Sequence, residues 1–398
     1  MASSTDLSGT PPDSRAPRQK RSLLAACLAH ALHDGYTDGL YAFLPLWQGQ
    51  FGLSYAGVAV VRALYSATMG GLQIPSDRVL RAWSPRAVLV LATVLAATGL
   101  LIMALPFGFA GLCVGLVVAG LGSSLQHPRA SALVADNYGE ASRRPLGLYN
   151  FSGDLGKAAL PALIALLLPL LDWRAVLVVL AVLGFGLAVA LGGLVPAVPA
   201  TRTAPNRTEA GGGRGGFPIL ATIGALDTAT RMGYLLFLPF LIQQRGGDTP
   251  TIGAALALLF IGGAFGKAGC AWLGERLGVV GSVLATEAAT AALIAATLVT
   301  PLLPTLVLLP WLGLVLNGTS SVLYGTVPEL ARGDRSRAFA IFYTCVIGAG
   351  GIAPILYGAI ADHGTRTIGV LATAATAVLI LPLVLMLRPH LPRRQTPR

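Results

Sequence analysis

Charge is what this sequence has least of. Asp, Glu, Lys and Arg together make up 11% of the 398 residues, whereas hydrophobic residues make up 54% and the mean hydropathy is +0.71. So apolar and charge-poor a chain is excluded from the soluble domains. Long polar stretches are also scarce, which leaves no room for an extramembrane catalytic domain. Cysteine is sparse too: Cys27, Cys113, Cys270 and Cys345 lie in separate apolar runs. They read as small packing residues and exclude a disulfide framework or a thiolate metal site. No Gly-Lys-Ser/Thr follows the glycines at 211–213 and no strand precedes them, so a phosphate-binding loop is excluded. No nucleophile, base and orienting group stand out as a set, and no catalytic metal motif is present, so the chain is not expected to be an enzyme. No signalling domain is appended, which argues against a sensor.

What fills the chain is long apolar runs. A membrane-crossing helix needs ~20 residues, and twelve such spans are expected. The first six are Ser22–Trp47, Tyr55–Ile74, Arg86–Leu105, Phe109–Ala135, Leu146–Leu171 and Ala175–Leu194. The second six are Pro218–Ile242, Ile252–Leu273, Val279–Thr300, Thr305–Ala331, Ala338–Ala361 and Thr367–Leu387. An even count puts both termini on one side. Basic residues then segregate: Arg15, Arg18, Lys20, Arg21, Arg78, Arg81, Arg86, Arg143 and Arg144 fall on the side of the termini, as do the basic residues of 202–214, Arg276, those of 332–337 and those of 388–398. Arg174, Arg245 and Arg366 fall on the other side. By the positive-inside rule both termini are cytoplasmic, and the net charge of +11 is a topology signal and not a nucleic-acid surface. The expected organisation is a disordered tail over 1–21, a six-helix half over 22–194, a Pro/Gly-rich cytoplasmic linker over 195–217, a second six-helix half over 218–387 and a cytoplasmic tail over 388–398.

The stretch HALHDGYTDGLYAFLPL, from His30 to Leu46, is anomalous within the first span. In helical steps of three or four, His30, His33 and Asp34, Asp38 and Tyr41 fall on one face, and the apolar residues fall elsewhere. A carboxylate at mid-membrane costs roughly 2.5–3.5 kcal/mol on insertion scales, so it persists beside partners or a water-filled cavity. This helix is expected to line a pathway. The alternative is that Asp34 and Asp38 form buried ion pairs that only fix packing. His30, His33 and a carboxylate also suggest a cation site, but no second His or Cys cluster in the sequence supports it, and no metal is expected.

The two halves repeat. YAFLPLW from Tyr41 aligns with LLFLPFL from Leu235, and on that offset His33 stands opposite Asp227. Ser76-Asp77-Arg78 then matches Gly274-Glu275-Arg276, Ser123-Ser124-Leu125 matches Ser320-Ser321-Val322, and Arg144 to Pro161 matches Arg337 to Pro354. An internal repeat of six helices with a site between the halves is a transporter architecture.

On these motifs the chain resembles the major facilitator superfamily from Ser22 to Leu387. Asp77-Arg78, followed by Arg81 and Arg86, is similar to the superfamily's loop signature, and Glu275-Arg276 is its weaker copy. The resemblance assigns Asp77, Arg78, Glu275 and Arg276 to gating loops. Within the superfamily, His30 to Pro45, GLGSSLQHPRASALVA from Gly120 and GLYNFSGDLGKAALPA from Gly147 resemble the fosmidomycin-resistance-like efflux branch. That branch carries His-Pro-Glu on its fourth helix and Gly-Asn-Leu-Gly on its fifth. Here His127-Pro128-Arg129 and Gly153-Asp154-Leu155-Gly156, followed by Lys157, stand in their places.

Several charges fall inside the expected spans: Asp34, Asp38, Arg62, Arg129, Asp154, Lys157, Asp227, Arg231, Lys267 and Glu287. Asp154 with Lys157, and Asp227 with Arg231, have the spacing to pair on their own helices. Lys267 is expected to snorkel toward the cytoplasm, and Glu287 has no evident partner. Alternatively, Arg62, Arg129, Lys157 and Arg231 furnish a cavity for a carboxylate or phosphonate, with His127, Asp154, Tyr324 and Tyr343 beside it and Asp34 or Asp38 as the proton-coupling group. Tyr149, Asn150 and Asn317 are second-rank candidates. The expectation is an all-α integral membrane protein of twelve helices in two pseudo-symmetric halves. It is a monomer in a bacterial cytoplasmic membrane and moves a small anionic or drug-like solute by proton-coupled efflux, with no cofactor beyond the proton gradient. Import or exchange of an organic acid would suit the same cavity.

Overall fold

Residues 12–80, 82–196, 216–330 and 335–391 are described in the computed structural model; at Asp77, Glu275 and a few other positions in these ranges the backbone alone is described. The helices of the first half are α1 (Pro12–Phe51), α2 (Tyr55–Val79), α3 (Pro85–Ala104), α4 (Gly108–Tyr138), α5 (Arg143–Leu167) and α6 (Trp173–Leu194). In the second half α7 (Phe217–Gln244) precedes a helical run, Thr249–Val299, that breaks at Gly278 into α8 and α9. Gly278 has φ 73 and ψ 174, a left-handed conformation that glycine adopts without a side-chain clash. Then come α10 (Leu302–Leu330), α11 (Arg335–His363) and α12 (Arg366–Leu387). No strand is present among the described residues.

α1 starts at Pro12, well before Ser22, so the latter part of the segment expected as a disordered tail is helical. The Gln19 amide donates to the Asn137 carbonyl at 2.7 Å and Arg21 to the Gly193 carbonyl at 2.5 Å, tying this extension to the ends of α4 and α6. Residues 1–11, linker residues 197–215 and tail residues 392–398 lie outside the described residues. α2 runs on through Pro75, so Asp77 and Arg78 belong to its last turn and not to a loop.

Among the described residues, nine helical stretches are apolar enough over 18 residues to cross a membrane by composition. The helices that miss that mark are α1, α2 and α5, which carry Asp34 and Asp38, Arg62, and Asp154 and Lys157. The three less apolar helices among the described residues thus all belong to the first half.

The repeat is visible in the packing. α1 lies against α5, α2 against α4, and α3 against α4 and α6; correspondingly α7 lies against α11, and the α8–α9 run against α10 and α12. The halves meet where α5 runs along α8, α2 along α11 and α1 along α7. At the face away from the termini, one apolar core joins both halves through Leu40, Phe43, Trp47, Tyr234, Phe237 and Phe240. At the face bearing the termini the core divides. Ala25, Ala29, Leu133 and Val134 pack in the first half, and Leu220, Ile223, Phe342 and Val346 in the second.

Helix dipoles account for where the end charges sit. Helices starting at the far face are met there by acids: Asp172 caps α6, Asp248 caps α8, and the Asp362 carboxylate accepts from the Tyr55 and Ala56 amides of α2 at 2.7 and 2.9 Å. Helices ending at the termini face are met by bases. Arg21 and Arg86 donate to the Gly193 and Val195 carbonyls at the end of α6, and Arg129 to that of Leu80 at the end of α2. Both placements oppose the partial charge of the helix end.

Candidate functional site

α1 and α5 cross closely because α5 presents glycines where they touch. A Cβ built on Gly156 would stand 1.9 Å from the Ala31 carbonyl oxygen, and one on Gly153 would meet His30 and Asp34 at 2.5–2.6 Å. The approach brings Lys157 to α1, where its Nζ lies 3.2 Å from Asp34 Oδ2. His30 Nε2 is 3.6 Å from the same oxygen, and His127 Nε2, from α4, is 3.6 Å from Asp34 Oδ1. The His30 ring stacks on Tyr149 at 4.0 Å between centroids and meets His127 edge-on at 5.3 Å. Asp34 is therefore enclosed by one ammonium and two imidazoles, in a buried cluster drawn from α1, α4 and α5.

Ligand atoms of His30, Asp34 and His127 lie within 4.8 Å of one another, a set able to hold a metal ion. His127 is remote in sequence, so the cation site weighed on His30 and His33 takes a different form. His33 turns away, its Nδ1 2.9 Å from the Ser123 hydroxyl and its Nε2 3.3 Å from that of Thr93. The Lys157 ammonium occupies the cationic role beside Asp34.

The expected i,i+3 pair of Asp154 and Lys157 does not form. Their side chains diverge toward different neighbours: Lys157 reaches Asp34, and Asp154 receives two hydrogen bonds from Lys267 Nζ of α8, at 2.6 and 2.8 Å. Lys267 therefore does not snorkel to an interface; it joins the two halves. Asp227 and Arg231 have the spacing to pair; Asp227 also stands beside Glu287, the residue without an evident partner, and Arg231 is near both.

The Asp38 carboxyl, buried, lies among Lys157, Arg62 and Arg231. Arg62 donates to the Ser66 hydroxyl at 2.6 Å, and its guanidinium lies 4.9 Å from the Tyr41 ring centroid and 5.4 Å from that of Tyr65. Tyr41, Arg62 and Ser66 form one wall of a cleft between the halves; Met232 and Leu236 of α7 and Gly350, Gly351 and Pro354 of α11 form the other. Bidentate guanidinium chemistry suits carboxylate and phosphonate groups.

Other expected residues lie elsewhere. Arg129 sits at the termini face with Ser76, Leu80 and Pro128, where it meets the end of α2 and does not face the central cluster. Tyr324 and Tyr343 pack together at 5.0 Å between centroids in the second half, Tyr324 near Arg231 and Asp227. Asn150 is exposed, and Asn317 donates to the Gly313 carbonyl within its own helix. Of the gating residues, the Asp77 and Glu275 side chains lie outside the described residues, Arg78 is exposed, and Arg276 stacks on Trp272 at 4.7 Å. Sequence reasoning did not place Lys267, Glu287, Tyr65 and Ser66 in the site. For Glu287 the available signal was the repeat itself, since His33 aligns with Asp227 and both seek a partner on the third helix of their half.

Twelve helices in two repeats, with buried charges at and near the interface of the halves, define a membrane transporter. The chain belongs to the Major Facilitator Superfamily, whose family model matches residues 26–226 and 220–398. No curated protein matches it by sequence. Among solved structures it is similar to a POT family transporter in complex with 5-aminolevulinic acid, at 13% identity over 93% of this chain and 96% of that one, with a TM-score of 0.75. It is also similar to a bacterial homolog of the human lysosomal transporter Spinster in an inward-facing, occupied conformation, at 16% identity over 94% and 97% of the chains and a TM-score of 0.72. The same homolog, inward-facing and unoccupied, matches at 14% identity over 96% and 98%, with a TM-score of 0.74.

Proposed function

We propose that this chain is a proton-coupled secondary transporter of a small organic anion in a bacterial cytoplasmic membrane, working by alternating access. The observation that carries this reading is the convergence of Arg62, Lys157 and Arg231 on Asp38 beside the cleft between the halves. Lys157 is already held by Asp34, so the cation that a carboxylate or phosphonate entering the cleft would meet is Arg62, which lines it. With the termini cytoplasmic, as the basic loops suggest, the core joined at the far face and divided at the termini face corresponds to a state open to the cytoplasm.

Coupling follows from competition for Lys157. While Asp34 is ionised it holds the ammonium at 3.2 Å; protonating Asp34 frees the ammonium for a substrate anion. An anion drawn to Lys157 in turn leaves Asp34 to take a proton. Proton and anion therefore favour each other, which is the sign of cotransport. The resemblance of His30 to Pro45 to the fosmidomycin-resistance-like branch favours a second reading, efflux by exchange. In that reading a cationic drug and a proton compete for Asp34 or Asp38.

Flux in proteoliposomes under an imposed pH gradient tests both, with wild type beside Asp34→Asn and Arg62→Ala and a panel of organic anions and cationic drugs. Anion flux following the proton, lost in both variants, supports the first reading. Cation flux against the proton, with Arg62→Ala unaffected, supports the second and leaves the basic groups as structural partners.

A further inference from the structure

His30 and Asp34 of α1 and His127 of α4 are drawn together, but their polar atoms are not spaced as a hydrogen-bonded cluster. Each imidazole Nε2 stands 3.6 Å from an Asp34 oxygen, His30 from Oδ2 and His127 from Oδ1. That separation is beyond the reach of a hydrogen bond. Two ligand atoms held about 2.1 Å from one ion, a tetrahedral angle apart, lie ~3.4 Å from each other. The imidazole–carboxylate separations fit that spacing, and the ligand atoms of all three residues lie within 4.8 Å of one another.

The donor set and its surroundings point the same way. Two imidazoles and one carboxylate suit a divalent ion of the zinc, cobalt or nickel kind, whereas magnesium and calcium take oxygen ligands. An imidazole that ligates a metal is normally fixed through its other nitrogen. His30 Nδ1 is buried without a partner, and so are both amide atoms of Gln126, which precedes His127 on α4, is fully buried and lies beside His30. A turn of that amide lets its oxygen accept from Nδ1–H, which leaves the Nε2 lone pair facing the Asp34 carboxylate. Stacking on Tyr149 at 4.0 Å holds the ring in this orientation. A lone pair that faces a carboxylate calls for a cation between them. The Lys157 ammonium, 3.2 Å from Asp34 Oδ2, now fills that need. The cluster is not sealed: the His127 and Lys157 side chains are 22% and 28% exposed, against 10% and 11% for His30 and Asp34. Three protein ligands with one accessible side leave a fourth position for water or an anionic group.

We propose that His30, Asp34 and His127 form a binding site for a divalent transition-metal ion, which takes the place of the Lys157 ammonium at Asp34. The displaced Lys157 has the Asp38 carboxylate to turn to. The exchange involves no electron transfer: the ion gives up bound water and gains bonds to two neutral imidazoles and one carboxylate. A further consequence rests on the proton-coupled reading above. An ion on Asp34 removes the acceptor of the proton, so the metal inhibits gradient-driven flux.

The test titrates the full-length chain, free of any histidine tag, with Co2+ in detergent and reads the visible absorption of tetrahedral cobalt. Wild type is expected to take one Co2+ per chain, with the absorption lost in both His127→Ala and His30→Ala. His363→Ala, at an exposed position, is expected to bind as wild type does. Lys157→Met is expected to bind about tenfold tighter, which corresponds to about 1.4 kcal/mol of ion-pair energy that no longer has to be broken. His127→Gln serves as a further variant should the alanine variants fail to fold. Absence of tetrahedral cobalt in wild type, or its survival in the variants of His30 and His127, overturns the site. Equal or weaker binding by Lys157→Met overturns the exchange with the ammonium. Gradient-driven flux unchanged by saturating Co2+ overturns the inhibition. A wild type without gradient-driven flux of any solute overturns the proton-coupled reading, while the titration, which needs neither solute nor gradient, still decides whether the site binds metal.

Discussion

Removing the Lys157 ammonium should destabilise the protein more than removing both it and the Asp34 charge. Asp34 and Lys157 have side chains 11% and 28% exposed and sit 3.2 Å apart, with His30 and His127 each at 3.6 Å from the carboxylate. Taking away one member of a buried pair leaves an uncompensated charge, which costs about 3–5 kcal/mol. The two imidazoles and the incomplete burial of Lys157 place Lys157→Met at the lower end of that range. Asp34→Asn alone leaves Lys157 near Asp38 and Asp154, so it should cost less. In Asp34→Asn/Lys157→Met no charge is stranded, and the double variant should recover about 2 kcal/mol relative to the sum of the single variants, within the usual range for contacting residues. Unfolding in mixed micelles, followed by tryptophan fluorescence for all four proteins, measures this coupling. Additive losses, or a Lys157→Met protein as stable as wild type, would refute the claim that Lys157 neutralises Asp34.

The Asp362 carboxylate joins the halves at the far face through the Tyr55 and Ala56 amides. Asp362→Ala should shift the population toward opening there by roughly tenfold, about 1.4 kcal/mol, which spin-label distances across that face would report; unchanged distances would count against the latch. Gly156→Ala should break the α1–α5 crossing and abolish transport, because the added carbon meets the Ala31 carbonyl at 1.9 Å, whereas Gly186→Ala, with nothing within 4 Å, should leave melting and flux unchanged. Thr251 hydrogen bonds, chiefly from its hydroxyl and then from its amide, hold Asp248 below the usual carboxylate range. The capping contribution of Asp248 is therefore complete above the unfolded value, about 3.9, and disappears as pH falls through the lower folded value. The difference in melting between wild type and Asp248→Ala should accordingly be constant at neutral pH and vanish in acid.

Local rules were enough to read the bundle and the polar stripe of α1. Apolar run length sets the number of spans, and the spacing from His30 to Tyr41 puts its polar groups on one helical face. Partner choice was not legible, for a physical reason: a charged side chain on a helix can turn to a neighbour three or four residues away or to another helix, and the backbone packing decides. Asp154 and Lys157 had the spacing to pair, but α5 faces α1 on one side and α8 on the other, so each took a partner from a different helix. Arg129 had the charge for a binding role, but the end of α2 lies within its reach. The sequence by itself determined a two-repeat helical membrane protein whose first helix carries buried charge, since these follow from composition, period and repetition along the chain. Tertiary structure alone decided that His127 and Lys157 meet at Asp34, that Lys267 reaches Asp154 and that Glu287 meets Asp227. Those meetings depend on which helices cross and how closely, and small contacts such as Gly156 against Ala31 set that distance.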